Sequence, residues 1–432
     1  MIVIIAKILR FSGFDDEWGE VKLGEIFDIK NGLNKGKEFF GKGIQILNYM
    51  DVNKHEFNTE KMIEGLVELT EDEIERFSVK PNDLFFTRTS ETSDEIGLTS
   101  AYIGNEVNCV FSGFILRARP KIGLNSLFYA YYFRSPQQRN NIIKYSSITT
   151  RALISGANLS KMKIRLPQAE EQNNIAKFLQ IIDKKIELLE KKHQYYQDFK
   201  KYLMQQIFAQ KLRFDKTSEW GTFALNDIGK TYNGLSGLSK DNFEKGNSKY
   251  ITYKSIFDNN ILKSDFTENV DLNNKSQNEV KKGDLFFTGS SETPEEVGMV
   301  SVLNNTVEDC YLNSFCFGFR LNNNYDVNPL FLAYYLRSPI MRNKIMILAQ
   351  GSTRFNLSKK EILKLKVEIP LISEQQQIID LFQNVDNKIN EISMQTDKFN
   401  EFKKGLLQQM FVYFYIDGCP PKLILGLRAN FH

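Results

Sequence analysis

Apolar residues recur at alternating steps of four and three positions between residues 175 and 207. Such steps are typical of the a and d positions of a heptad repeat, so they predict one long helix from Glu170 to Phe208. At about 1.5 Å of rise per residue, this helix would be roughly 55–60 Å long. The predicted seam consists of Ile175, Leu179, Ile182, Ile186 and Leu189, followed by His193, Tyr196, Lys200, Leu203 and Ile207.

The same seam occurs a second time, 203 positions later, and predicts a second helix from Glu374 to Phe411. Both seams contain polar residues at the same two positions, first His193 or Thr396 and then Lys200 or Lys403. Polar seam residues lower stability, but they can fix the register and orientation of paired helices. The second seam consists of Ile378, Phe382, Val385, Ile389 and Ile392, followed by Thr396, Phe399, Lys403, Leu406 and Met410.

The chain outside the two helices is duplicated as well. From Arg117 and Arg320 onwards, the two copies align at a constant offset of 203. Self-similarity at a nearly fixed offset indicates a repeat architecture, and here the repeated unit is half of the chain. The earlier matches pair Trp18-Gly19 with Trp220-Gly221, Asn31-Gly32-Leu33 with Asn233-Gly234-Leu235, and Asp83 to Thr87 with Asp284 to Thr288.

Within each copy, the pattern predicts strands followed by short helices. Apolar and β-branched runs at Ile44–Leu47, Leu84–Thr87 and Cys109–Leu116 are typical of strands. Asn125 precedes a helical pattern from Leu127 to Arg134. A serine followed by proline, at 135–136 and again at 338–339, predicts a capped start of a second helix. Prolines 167 and 370 then mark the boundary between each globular part and its long helix.

Composition limits the range of functions. With 432 residues and 42% hydrophobic content, the chain can form several cores. A net charge of +3 is too small to indicate nucleic-acid binding by bulk charge, so any DNA-binding surface must be a local patch. Four cysteines without CxxC spacing and three histidines predict neither a disulfide framework nor a metal site. No run is long enough to predict a signal peptide or a membrane span, so we expect a soluble cytoplasmic protein.

Two short motifs could indicate catalysis, and both are weak. Gly229-Lys230-Thr231 resembles the end of a P-loop, but position 224 is alanine where the motif needs glycine. Asp198-Phe199-Lys200 and Glu401-Phe402-Lys403 have the spacing of a nuclease Glu-x-Lys pair, but they lie inside the predicted long helices, where charges usually form a solvated face. We therefore expect no catalytic residues. An undetected nuclease fold is the alternative that the sequence leaves open.

The order of these elements resembles the specificity subunit of type I restriction–modification systems. The resemblance extends from about Arg10 to Phe411 and depends on motifs that occur in both copies. These are Asp83-Leu84-Phe85-Phe86-Thr87-Arg88, Thr150-Arg151 with its copy Gly351-Ser352-Thr353-Arg354, and the helix openings Glu171-Gln172 and Glu374-Gln375, each preceded by a proline.

The resemblance implies an α+β fold with two duplicated α/β target-recognition domains, separated by two long antiparallel coiled-coil helices in a pseudo-two-fold arrangement. Each domain would read one half of a split site in double-stranded DNA, and the helices would set the spacing and dock modification subunits. The implied subunit binds no cofactor itself, while its modification and restriction partners use S-adenosylmethionine, ATP and Mg²⁺. The expected boundaries are 10–166 and 212–369 for the domains, 167–211 and 370–411 for the helices, and 412–432 for a tail without a counterpart.

Three loops in each copy contain residues suited to DNA contacts. Arginine reads guanine through two hydrogen bonds, while Ser, Thr, Asn and Lys reach phosphates or base edges. The candidates in the first copy are Asn31, Lys35 and Lys37, then Thr87, Arg88, Thr89 and Ser90, then Thr149, Thr150 and Arg151. Those in the second copy are Asn233, Ser239 and Lys240, then Ser290 and Ser291 after Thr288-Gly289, then Ser352, Thr353 and Arg354.

Two alternatives stay open at this stage. Any one of these loop residues could be part of a solvated loop or a structural turn, and the whole chain could be a coiled-coil scaffold without DNA readout. We expect Arg134 and Arg337 to cap the C-termini of their own helices instead of contacting DNA.

Overall fold

The computed structural model describes residues 9–106, 108–148, 150–262, 267–272, 275–322 and 324–411. The predicted tail at 412–432 and the candidate Thr149 lie outside these ranges. Contacts divide the chain into two units, one formed by residues 1–189 with 395–432 and the other by residues 190–394. Each unit therefore contains one globular copy, the beginning of the long helix that follows it, and the end of the other long helix.

The first copy consists of short strands and helices ahead of its long helix. Its strands, β1 to β13, are Gly19–Lys22, Phe27–Asn31, Phe40–Leu47, Phe57–Asn58, Leu66–Val67, Leu84–Thr87, Thr89–Ser90, Thr99–Tyr102, Cys109–Phe111, Ile115–Pro120, Ser147–Ile148, Ala152–Leu153 and Lys163–Leu166. Its helices, α1 to α7, are Leu23–Ile26, Tyr49–Lys54, Glu71–Arg76, Ser126–Arg134, Pro136–Tyr145, Gly156–Lys161 and Ala169–Phe208.

The second copy repeats this order, except that its described residues contain no counterpart of α3. Its strands, β14 to β26, are Gly221–Ala224, Gly229–Asn233, Phe243–Ile251, Ile261–Leu262, Thr267–Val270, Leu285–Thr288, Ser290–Ser291, Val300–Leu303, Cys310–Leu312, Cys316–Leu321, Ala349–Gln350, Phe355–Leu357 and Lys366–Ile369. Its helices, α8 to α13, are Leu225–Ile228, Tyr253–Asp258, Pro329–Arg337, Pro339–Ile347, Lys359–Leu363 and Ile372–Met410.

Both copies arrange their strands in the same way. The central five-stranded sheet has the order β2-β10-β6-β8-β4 in the first copy and β15-β23-β19-β21-β17 in the second. A three-stranded sheet, β5-β3-β9 or β18-β16-β22, adjoins it, and two small sheets complete each copy: β11-β12-β7 with β1-β13, and β24-β25-β20 with β14-β26. The predicted α+β fold class and the duplication are confirmed.

Each unit is centred on a buried helix. Residues 126–133 of α4 are all buried, and residues 331–336 hold the same position in α10. The predicted helical run after Asn125 is α4, and the Asn125 side chain caps it by accepting a hydrogen bond from the Phe128 amide. Ser338 caps α11 in the predicted way, whereas the Ser135 hydroxyl donates to the Tyr132 carbonyl and leaves α5 without a side-chain cap.

The long helices pack antiparallel inside each unit. In the first unit, seam residues from the start of α7 share a core with Leu406, Met410 and Phe411 at the end of α13. In the second unit, the start of α13 shares a core with Leu203, Met204, Ile207 and Phe208 at the end of α7. Buried seam residues include Ile175, Leu179, Ile182, Ile186, Leu189, Ile378, Phe382, Val385 and Ile392, while Ile389 is half-buried. Within the described ranges, no helix is long and apolar enough to cross a membrane.

One predicted strand is wrong. The apolar run Cys109–Leu116 forms two strands, β9 and β10, because the turn Ser112-Gly113-Phe114 interrupts it. The predicted alignment of Arg117 with Arg320 is also wrong. Arg119 is the equivalent of Arg320, since each makes two hydrogen bonds of 2.8 and 2.7 Å to the aspartate that precedes the central strand, Asp83 or Asp284.

The polar seam position at Lys403 is occupied by an ion-pair cluster. The Lys403 ammonium lies 2.8 Å from Glu56 Oε1 and 2.7 Å from Asp183 Oδ1, and the Tyr131 hydroxyl donates to Asp183 Oδ2 over 2.5 Å. Burial acts to lower the pKa of Lys403, but the two carboxylates outweigh it and raise that pKa. The cluster therefore joins both long helices to the globular part of its unit.

The equivalent cluster in the second unit contains one carboxylate fewer. Lys200 lies 2.5 Å from Asp386 Oδ1, and Tyr334 donates to Asp386 Oδ2 over 2.8 Å. Asn260 is the equivalent of Glu56, because the Glu56 carbonyl accepts a hydrogen bond from the Ala101 amide and the Asn260 carbonyl accepts one from the equivalent Val302 amide. A neutral amide therefore stands where the first unit has the Glu56 carboxylate. The same seam position is thus more strongly charged in the first unit.

This asymmetry gives a stability prediction. We expect Lys403→Met to destabilise the first unit by about 3 kcal/mol, because it leaves two half-buried carboxylates close together without their cation. Lys200→Met should cost the second unit less, since only Asp386 loses its partner. Because the pKa of Lys403 is raised, its contribution is complete below pH 10.5 and is lost as the pH rises through the folded-state pKa.

Hydrogen exchange of the full chain, measured separately on peptides of each unit, compares the two matched variants. If Lys403→Met and Lys200→Met lowered the protection of their own units by equal amounts, Glu56 would not contribute to the cluster.

Candidate DNA interface

The turn Ser112-Gly113-Phe114 brings the three predicted loops of the first copy together. The Gly113 amide donates to the Leu33 carbonyl of the first loop over 2.7 Å. The Arg88 amide, in the second loop, donates to the Phe114 carbonyl over 2.9 Å, and the Ile154 amide beside the third loop donates to the Arg88 carbonyl over 3.0 Å. Strand β12 also pairs with β7, which directly connects the second and third loops.

The second copy builds the same surface. The Leu235 amide donates to the Leu312 carbonyl over 2.7 Å, and the Gly289 amide donates to the Phe315 carbonyl over 2.8 Å. The Leu357 amide then donates to the Gly289 carbonyl over 2.9 Å, while β25 pairs with β20. We call these two loop clusters, each with its central turn, the first and second reading surfaces.

The duplicated Asn-Gly-Leu motif is explained by this close packing. A Cβ atom on Gly32 would lie 2.1 Å from the Ser112 carbonyl oxygen, and one on Gly234 would lie 2.1 Å from the Asn313 carbonyl oxygen. Only glycine allows the first loop to pass so close to the turn. The following leucines, Leu33 and Leu235, are buried and anchor the loop.

Several candidate side chains support the loops from inside. Thr87 is fully buried, and its hydroxyl donates to the Glu95 carbonyl and accepts from the Leu98 amide. Ser90 is buried and donates to Glu95. Ser290 and Ser291 are also buried, and Ser291 donates to Glu296 over 2.8 Å. The hydrogen bonds of Thr87, Ser90 and Ser291 hold the second loop in shape.

Lys35 is engaged within the protein as well. Its ammonium lies 2.5 Å from Glu73 Oε1 and sits over the Phe39 ring. The hydrogen bond from Lys35 is the main reason that the pKa of Glu73 is lowered. A phosphate contact by Lys35 would have to replace this pair, whereas Asn31 and Lys37 are exposed.

The first loop of the second copy has its own internal contacts. Asn233 is exposed, and its side-chain oxygen accepts a hydrogen bond from the Lys359 ammonium. Ser239 is exposed and hydrogen-bonds to Asn242 in a local cap, while Lys240 beside it is exposed.

The second and third loops present arginines differently in the two copies. Half-buried Arg88 donates from Nη1 to the Gly113 carbonyl over 3.3 Å, with half-buried Thr89 following it, but its equivalent is Gly289. In the third loop, Arg151 is exposed and 3.7 Å from Glu91, whereas Arg354 lies over the Phe315 ring at 5.6 Å. Thr150, Ser352 and Thr353 are exposed. The scaffold is shared, and its chemistry differs between the two surfaces.

The expected helix capping by Arg134 and Arg337 needs a correction. Arg134 donates to the Val52, Asn53 and His55 carbonyls, so it caps the C-terminus of α2 and not that of its own helix. Arg337 does the same for α9. Burial lowers the pKa of both arginines, and that of Arg337 to about 10. Both residues are structural, as the sequence indicated, but they cap a neighbouring helix.

The duplicated Glu-Gln motifs also have structural roles. Arg10 makes two hydrogen bonds to buried Glu171 of 2.8 and 2.7 Å, and Arg213 makes two to buried Glu374 of 3.2 and 2.7 Å. The next residue, a glutamine, donates to the carbonyl of the preceding proline over 2.9 Å in both copies. These contacts fix how each long helix leaves its globular part.

Comparison with known proteins now identifies the family. Residues 15–195 and 217–398 each match the model of the Type I restriction modification DNA specificity domain. The chain belongs to this specificity-subunit family. The two matches coincide with the duplication that the structure shows.

Curated members of the specificity-subunit family match over most of the chain. The chain is 23% identical to the MjaX specificity subunit of Methanocaldococcus jannaschii, covering 91% of this chain and 92% of the relative. It is 22% identical to the EcoKI specificity subunit of Escherichia coli, covering 77% of this chain and 75% of the relative.

Solved structures of specificity subunits share the fold. The type I S subunit from M. genitalium has a TM-score of 0.52 at 15% identity, and 93% of this chain and 98% of that chain are covered. A chain from a study of type I R-M complex assembly and conformational transition has a TM-score of 0.57 at 14% identity, with coverage of 92% and 98%.

The close approach at Gly32 gives a prediction for this specificity subunit. Gly32→Ala places a methyl group against the Ser112 backbone, so we expect a loss of about 1–3 kcal/mol in stability. The Leu33 and Gly113 amides should exchange faster with solvent.

Gly123→Ala is the matched control, because a Cβ atom there meets nothing within 4 Å. It should change stability by less than about 0.5 kcal/mol. Urea denaturation gives the free energy of unfolding of both variants, and hydrogen exchange follows their amides. If Gly32→Ala were as stable as Gly123→Ala, the first loop could move away from the turn at little cost.

Proposed function

We propose that this chain is the DNA-reading subunit of a type I restriction–modification enzyme, and that each reading surface recognises one half of a bipartite site. The observation that carries the proposal is the convergence of three polar loops on one turn in both copies. Their backbones make equivalent hydrogen bonds, whereas side chains such as Arg88 and Gly289 differ. One scaffold with two sets of side chains suits the reading of two different half-sites.

The candidate side chains have the chemistry for both kinds of DNA contact. Lys37 and Lys240 are exposed and would meet phosphates, which position a protein on the duplex without reading its sequence. Arg88, Arg151 and Arg354 can each pair with a guanine edge in the major groove. Sequence specificity would therefore come from the second and third loops.

The chemistry of modification and restriction would reside in partner subunits. Lys200 and Lys403, which resemble half of a nuclease pair in the sequence, are held by Asp386 and by Glu56 with Asp183. They are occupied by structural ion pairs, which argues against a nuclease role. The long helices would dock two modification subunits, and restriction subunits would join through the complex. S-adenosylmethionine, ATP and Mg²⁺ would be used by those partners, and the enzyme would act on DNA in the cytoplasm.

Methylation mapping of the host genome tests the proposal directly. A strain with the gene should show a methylated motif of two short half-sites separated by a nonspecific spacer, and a deletion strain should lose it. A chain that is only a coiled-coil scaffold would leave the methylation pattern unchanged when deleted.

Arg88→Ala tests the base contact in the first half-site. We expect a loss of about 1–3 kcal/mol in binding and relaxed preference at one position of one half-site only. Arg354→Ala is the matched variant for the other half-site. Binding titrations against the mapped site and against random duplex measure both. Equal weakening on random DNA would show that the arginine contacts a phosphate.

A second prediction concerns spacing, because each long helix runs without interruption through its whole heptad seam. Inserting one heptad after Leu189 and another after Ile392 keeps every seam residue in phase. Seven residues add roughly 10 Å, which corresponds to about three base pairs at roughly 3.4 Å each. Methylation mapping should show unchanged half-sites and a spacer longer by about that amount.

An unchanged spacer in a folded variant would contradict the idea that helix length sets the distance. A variant with the heptad in only one helix is the control, since its two seams no longer match in length.

A further inference from the structure

A phenylalanine stands exposed at the centre of each reading surface. Phe114 is 65% exposed and Phe315 is 57% exposed. They are equivalent residues, because each ends the turn that leads into the strand β10 or β23. Two copies with different loop side chains thus share one exposed aromatic residue at the same place.

Hydrogen bonds from both sides hold the backbone of each phenylalanine in position. The Phe114 amide donates to Ser112 Oγ over 3.4 Å, and its carbonyl accepts from the Arg88 amide. The Phe315 amide donates to Asn313 Oδ1 over 2.8 Å, and its carbonyl accepts from the Gly289 amide. The ring is therefore presented by a rigid turn between the loops.

An arginine contacts the turn or the ring on each surface, but it comes from a different loop in each copy. On the first surface, Arg88 of the second loop binds the carbonyl of Gly113, directly before Phe114. On the second surface, Arg354 of the third loop lies over the Phe315 ring. Each surface thus combines an exposed ring with an arginine, which binds the backbone of the turn on the first surface and lies over the ring on the second.

This combination fits the surface of DNA bases. Apolar side chains contact the thymine methyl group in the major groove, and aromatic or apolar wedges partly unstack a base step. Single exposed apolar side chains are common on protein surfaces, but here the exposure recurs at the equivalent position of both copies, at the centre of each loop cluster.

We infer that Phe114 and Phe315 are the apolar base-contacting residues of the two half-sites, one on each reading surface. This inference rests on the proposed function, since it names the residues that would contact bases. The neighbouring arginine supplies the polar part of the readout, and the ring supplies a contact that both half-sites need.

The test uses the full chain assembled with its modification subunits and a synthetic duplex carrying the methylation-mapped site. Phe114→Ala should weaken binding to this duplex about 5- to 100-fold, in the range of one lost base–aromatic contact. Binding to random duplex should stay the same. Phe315→Ala should show an equal pattern, with altered base preference in the other half-site.

Ile122→Ala is the matched control, because Ile122 is 59% exposed just beyond the opposite end of β10. It should bind both duplexes as the unmodified chain does. Hydrogen exchange at the amides of residues 88 and 113 checks that the turn keeps its structure in Phe114→Ala.

Two further measurements identify the kind of contact. Replacing thymines of the half-site by uracil removes the methyl group, and Phe114→Leu retains an apolar side chain but no stacking plane. Weaker binding with uracil supports a methyl contact, and weaker binding with leucine supports stacking. Either result supports the inference. Unchanged binding in both assays would overturn it.

The outcomes also separate this inference from the proposed function. If the unmodified enzyme does not distinguish the mapped site from random duplex, the proposed function fails. If it does, but Phe114→Ala and Phe315→Ala behave like Ile122→Ala, only the phenylalanine contacts are refuted. Equal weakening on specific and random duplex would likewise refute a base contact.

Discussion

Each unit depends on one helix that is buried along its length. In the first unit, α4 packs on the central sheet and against the ends of both long helices, where Phe128 and Tyr132 contact the Phe411 ring at centroid distances of 5.8 and 5.6 Å. In the second unit, Phe331 and Tyr335 of α10 contact Phe208 at 5.9 and 5.0 Å. A reading surface is therefore rigidly attached to the helix pair through an aromatic core.

Ion pairs also connect each globular part to its long helix. The bidentate pairs of Arg10 with Glu171 and of Arg213 with Glu374 sit where the chain enters each long helix. Buried ion pairs contribute little net stability, because desolvation offsets their attraction. Their strict geometry excludes other arrangements, so we interpret them as setting the angle at which each globular part meets its helix. Apolar packing holds each globular part on its long helix, and the ion pairs define the angle between them.

The sequence predicted the architecture well, because helices and strands follow from the periodic spacing of apolar residues. Heptad steps, the run Leu84–Thr87 and the cap at Asn125 are local signals, and each appears in the structure. The Ser112–Phe114 turn was hidden because Phe114 is apolar and continues the hydrophobic run of its flanking strands. Hydropathy cannot show whether a phenylalanine in such a run faces the core or the solvent.

The candidate site was predicted only in part, for a related reason. The sequence identified three candidate loops in each copy but not the turn that brings them together, and the roles of individual side chains depend on partners distant in the sequence. Lys35 pairs with Glu73, and Thr87 hydrogen-bonds to the backbone around Glu95. Nothing in the local pattern around Lys35 or Thr87 indicates these partners. Composition identifies a loop that can bind DNA, whereas tertiary contacts decide which of its side chains are available.

The division of the chain into units has a consequence for its synthesis. The second unit is contiguous, from residue 190 to residue 394, so all its parts leave the ribosome before the last long helix is complete. The first unit needs Leu406, Met410 and Phe411 to close its core, and these residues are made some 400 residues after its first strands begin. The copy that is translated first is therefore the one that finishes folding last, and until then its aromatic helix α4 lacks the part of its cover that Leu406, Met410 and Phe411 supply.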